Sequence, residues 1–82
     1  MLTDKIREYA YQTYIKAARE KGEQTVVIKA GDIHKAMKLS EQYSLICQGL
    51  SKQIFMDRYN VELINRVGPL NGSNVYFTFK IN

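Results

Sequence analysis

Apolar residues open the chain at helical spacing. Leu2, Ile6, Ala10, Thr13, Tyr14 and Ala17 fall on one stripe, and Lys5, Glu8, Gln12, Lys16 and Arg19 fall opposite it. Thr3 is placed to cap this helix and Asp4 suits its first turn, while Lys21 followed by Gly22 reads as a basic last turn and a glycine stop. The spacing therefore predicts a helix over residues 4–21. Tyr11, Ile15 and Ala18 widen the apolar arc beyond one face, which implies either a broad core contact or a surface used by another chain; core coverage is the simpler reading.

The pattern then changes period. Thr25-Val26-Val27-Ile28 is β-branched throughout and predicts a short strand that pairs with a later hairpin. From Gly31, Ile33, Ala36, Met37 and Leu39 predict a short second helix facing the core, with Ser40 marking the turn. Tyr43, Ile46, Cys47 and Leu50 share one face of a third helix; Ser51 is placed to cap a short extension over residues 52–59. Residues 61–67 read as a strand. Gly68-Pro69-Leu70-Asn71-Gly72-Ser73 is dense in turn formers, and Val75, Phe77, Phe79 and Ile81 then alternate with Tyr76, Thr78 and Lys80 as a half-buried strand. Ile46, Leu50, Phe77 and Phe79 are the expected centre of the core.

Eighty-two residues make one domain, residues 1–82, and the 45% hydrophobic content suffices for a core. The longest apolar run, Val26-Val27-Ile28, is far too short for a membrane span or a signal-peptide core, so a cytoplasmic, membrane-free chain is expected. One cysteine and one histidine exclude an internal disulfide and give too few soft ligands for structural zinc. Twelve Lys and Arg against eight Asp and Glu leave a net charge of +4, compatible with a polyanionic partner.

The order helix, strand, helix, turn, helix, hairpin resembles the winged helix-turn-helix family over nearly the whole chain. TVVIKAGDIHKAMKLS is similar to that family's strand and second helix, YSLICQGL to its recognition helix, and VELINRVGPLNGSNVYFTFKI to the strands and tip of its wing. The resemblance implies an α+β fold, in the order α-β-α-α-short helix-β-β, and double-stranded DNA as partner, for a transcriptional regulator or the targeting module of a larger assembly. It also implies that the third helix presents Glu41, Ser44, Leu45, Gln48 and Lys52 to the major groove, Gln48 suiting adenine, Ser44 a phosphate or base edge, and Lys52 a phosphate. Asn71, Ser73 and Asn74 at the wing tip suit phosphate contacts, with Arg66 and Lys80 behind them. Lys29, Lys35 and Lys38 offer cations, or simply a solvated helix face. On this reading Lys38, Lys52 and Arg66 share one surface with Gln48 and the wing tip.

The apolar Leu45, the acidic Glu41 and the uncharged wing tip equally suit a protein-interaction module, and the arc Tyr11, Ile15, Ala18 suits a homodimer through the first helix. Structured RNA is not separable from DNA by sequence. No enzyme is indicated, and no cofactor: Asp32 and His34 are two residues apart and point to different sides of a helix, so the histidine is expected to be exposed or to serve near a helix cap. Cys47 falls on an apolar stripe, and the Gly68-to-Gly72 turn lacks the lysine and helix of a phosphate loop.

Overall fold

The computed structural model describes residues 1–82. Its first helix, α1, spans residues 2–20 in three continuous parts: α-helical Leu2–Ala10, π-helical Tyr11–Ile15 and α-helical Lys16–Glu20. The middle part is defined by the Lys16 N–H donating to the carbonyl of Tyr11, five residues back instead of four. One extra residue in the turn rotates everything after it. Ile6 and Ala10 are buried as the helical stripe requires, but beyond the turn the buried residues are Ile15 and Ala18, with Tyr14 half-buried. The expected stripe through Thr13, Tyr14 and Ala17 is displaced by one position, and Thr13 points to solvent. The arc of Tyr11, Ile15 and Ala18 is thus core, as the simpler of the two sequence readings has it: Ile15 and Ala18 are buried and Tyr11 is half-buried against the core.

Helix α1 ends at the expected glycine. Gly22 takes φ +76, its N–H reaches the carbonyl of Arg19 at 3.1 Å, and the Glu23 N–H reaches that of Ala18 at 2.9 Å. Strand β1, Thr25–Lys29, leads directly into α2, Ala30–Ala36. This second helix stops short of the expected Leu39. The same closing motif ends it, with the Lys38 N–H on the Lys35 carbonyl (3.1 Å) and the Leu39 N–H on that of His34 (3.0 Å), but the left-handed position is held by Lys38 at φ 55.

Helix α3 runs Tyr43–Ser51 and α4 Gln53–Tyr59, broken at Lys52, whose ψ of 145° is extended. Ser51 does not cap α4 as expected: it is the last residue of α3 and its Oγ donates to the Cys47 carbonyl at 2.7 Å. Asn60, left-handed at φ 57, turns the chain into β2, Val61–Val67, and a loop leads to β3, Tyr76–Ile81.

The strands form one antiparallel sheet in the order β1-β3-β2. Val26 and Leu63 flank Phe79, and Ile28 and Arg66 flank Phe77, so β3 supplies the centre of the inner face. The register slips between Leu63 and Asn65, where Ile64 is inserted as a bulge. All four helices contribute to one core: Ile6, Ala10 and Ile15 from α1, Ile33 from α2, Ile46 and Leu50 from α3, and Phe55 from α4 join Phe77 and Phe79, each with no exposed surface. Phe55 meets Phe79 edge-on at 5.4 Å, and no polar residue is buried. Arg7 ties α1 to α3 by donating from Nε to the Gly49 carbonyl at 3.0 Å. Across the sheet, Val27, Tyr76 and Val67 lie on the outer face and remain 55%, 40% and 56% exposed. No helix is long and apolar enough to cross a membrane.

Candidate nucleic-acid interface

The loop between β2 and β3 is held by the side chain of Arg66. The Arg66 guanidinium lies 5.3 Å over the Phe77 ring and donates to the carbonyls of Pro69, at 3.2 Å, and Leu70. Gly68 holds φ +117, where a side chain is strained, and a β-carbon there would also collide with the Asn74 carbonyl. At the far side, the loop docks on the start of α2: the Gly31 N–H donates to the Ser73 carbonyl at 3.1 Å and the Ala30 N–H to that of Val75 at 2.9 Å.

The docked loop faces the end of α3. Between them lies an open cleft of about 250 Å³ lined by Cys47, Gln48, Ser51 and Lys52 on the helical side and Arg66, Leu70 and Asn71 on the hairpin side. Gln48 is exposed and its Nε2 donates to Ser44 Oγ at 3.2 Å, one turn earlier, which orients the amide. The cleft therefore combines two cations, two carboxamides and a hydroxyl with one exposed aliphatic side chain, a set able to meet phosphates and base edges together.

Of the residues singled out in the sequence, Gln48, Lys52, Arg66 and Asn71 come together here, with Ser44 attached through Gln48. Arg66 also serves the loop itself, since its hydrogen bonds hold two loop carbonyls. Lys35 and Lys38 are exposed at the end of α2 and do not line the cleft, so the single surface expected for Lys38 with Lys52 and Arg66 does not extend to the cleft wall. Ser73 and Asn74 are exposed on the loop but outside the cleft, and the backbone carbonyl of Ser73 is taken by Gly31. Glu41 precedes α3 in a left-handed turn (φ 54), and Leu45 is half-buried against the core, so neither projects from the helix as a base reader.

Two contributors were missed. Leu70, 78% exposed at the lip of the cleft, reads in sequence as one residue of a turn, although a large aliphatic residue amid Gly, Pro and Asn was the available signal. His34 orders the entry to α3: its Nε2 accepts the Gln42 N–H at 3.3 Å, and its ring stacks on Tyr43 at 4.0 Å between centroids. It is half-buried within α2 and serves the start of α3, neither exposed nor at the cap of its own helix as the sequence reading has it.

A second, wider groove runs along α1 and includes Asp4 and Glu8 as well as Lys5 and Arg58, so its charge does not favour a polyanion. No three His, Cys, Asp or Glu side chains are grouped so as to hold a metal ion. No family model matches the chain, and no curated protein or solved structure matches it.

Proposed function

We propose that this chain is a winged-helix domain that binds double-stranded DNA, with α3 in the major groove and the β2–β3 loop beside it, as a small transcriptional regulator or the targeting module of a larger assembly. One observation carries the reading: Gln48 and Lys52 at the end of α3 share a cleft with Arg66 and Asn71 of the hairpin. A helix and a hairpin that act on one duplex must present their polar groups side by side. The sheet order β1-β3-β2, with the α2–α3 turn between β1 and the hairpin, supports the same reading, as does the net charge of +4.

The test is a salt titration of binding to random-sequence duplex. Phosphate contacts release counterions, so the logarithm of the binding constant falls linearly with the logarithm of salt, by about 0.9 per phosphate neutralised. Lys52→Ala lowers that slope by about one unit while weakening all duplexes alike. Absence of binding at low salt, or binding indifferent to salt, overturns the proposal.

A second reading, a protein-docking module, is favoured by the outer face of the sheet, where Val27, Val67 and Tyr76 lie exposed around Thr78. Val27→Lys is its probe: loss of a partner with retained DNA binding assigns docking to the sheet.

A further inference from the structure

Resting on the DNA-binding reading, we infer that the cleft between α3 and the hairpin loop recognises an A·T base pair, with Gln48 reading adenine and Leu70 covering the methyl group of thymine. Leu70 is the observation that demands an account. A single exposed leucine is ordinary on a protein surface. This one is 78% exposed on a loop whose backbone is fastened on both sides of it, by Arg66 to the carbonyls of Pro69 and Leu70 and by Gly31 to that of Ser73. The side chain contributes little to the core, yet it is held at the lip of a polar, cationic cleft.

In the major groove adenine offers N7 as acceptor and its N6 amino group as donor, and thymine offers O4 and a methyl group. The Gln48 amide gives one Nε2 hydrogen to Ser44 Oγ, which leaves the second hydrogen for N7 and Oε1 for the amino group. A leucine across the same cleft finds an apolar partner only in thymine. In a G·C pair cytosine has only a hydrogen where thymine carries its methyl group, so the leucine loses its contact, and Gln48 Oε1 meets the guanine O6, acceptor against acceptor. Lys52 and Arg66, on opposite walls, place positive charge where the flanking phosphates pass.

The experiment selects duplexes from a randomised pool on the chain, then substitutes the selected sequence. An A·T pair is expected at one fixed position. Replacing its thymine by deoxyuridine, which removes the methyl group alone, weakens binding about three- to fivefold, and 7-deaza-adenine, which removes N7, weakens it by about fivefold or more. In Leu70→Ala, whose urea midpoint is expected to match the parent, the deoxyuridine penalty disappears; in Gln48→Ala the 7-deaza penalty disappears. If duplexes are retained but no position is enriched in A·T, or if the deoxyuridine penalty persists in Leu70→Ala, this inference fails and DNA binding stands. Retention of no duplex at any salt overturns both.

Discussion

The Gly31 N–H donates to the Ser73 carbonyl at 3.1 Å, and a β-carbon at Gly31 would lie 2.7 Å from that same oxygen. The backbone of the hairpin loop therefore rests directly on the start of α2, with no room for a side chain between them. Gly31→Ala forces backbone apart from backbone, and overpacking of this kind costs about 1–3 kcal/mol. Urea unfolding is expected to show that loss, and amide exchange at Gly31 to accelerate more than the global change explains. An unchanged midpoint would mean that the loop does not bear on α2.

Lys38 occupies, at φ 55, the left-handed position that Gly22 fills at the end of α1. A side chain with a β-carbon is strained there, and glycine is not. Lys38→Gly is expected to raise stability by about 0.5–1 kcal/mol, net of the greater freedom glycine has in the unfolded chain, with the slope of ΔG on urea unchanged. A loss of stability would show that Lys38 makes a contact worth more than its strain.

Glu8 accepts hydrogen bonds from Gln12 Nε2 at 3.0 Å and from the Tyr59 hydroxyl at 2.9 Å, which together hold its carboxyl below the usual range. Burial, reinforced by the bond to Glu8, pushes the Tyr59 hydroxyl up. The carboxylate's contribution to stability is present above the ordinary carboxyl value and is lost as pH falls through the lowered one; the phenol's is present below about pH 10 and is lost as pH rises through the raised one. Glu8→Ala flattens the acid limb of the midpoint-against-pH curve, and Tyr59→Phe flattens the alkaline limb. Glu8 is exposed, so the acid effect is small, and parallel curves for parent and Glu8→Ala would dismiss it.

Thr13 is exposed within the π-helical turn that separates the buried pair Ala10 and Ile15. Deleting it brings that pair to a spacing of four and Ala10 and Tyr14 to three, the spacing of an uninterrupted α-helix. The deletion is expected to leave a folded chain within about 1 kcal/mol of the parent, whereas deleting one residue from an ordinary helix throws the following apolar face off the core. Thermal unfolding distinguishes the two, and a chain that no longer unfolds cooperatively would show the extra residue to be required.

Period and punctuation by themselves determined the element order, the α+β class and most of the core. Ile46, Leu50, Phe77 and Phe79 are buried because strands alternate and helices repeat, and Gly22 ends α1 because glycine is the residue that enters a left-handed turn without cost. Where a local rule was broken, the sequence misled. Lys38 does glycine's work at the end of α2, so the helix stops before its apolar pattern does; the π-turn shifts the second half of α1 by one residue, burying Ile15 and Ala18 where the stripe had Tyr14 and Ala17. The π-turn brings Ile15 into a core shared with the sheet and the later helices, and no local window contains that information. The cleft divides in the same way: that Gln48 and Lys52 share a surface with Arg66 and Asn71 was an expectation of the family resemblance, but the alternation that placed Arg66 on a strand said nothing of its grip on the loop, and a turn rich in Gly and Asn did not reveal Leu70 at the lip. That placement depends on the loop resting on Gly31, a contact between residues about forty positions apart that only the folded chain brings together.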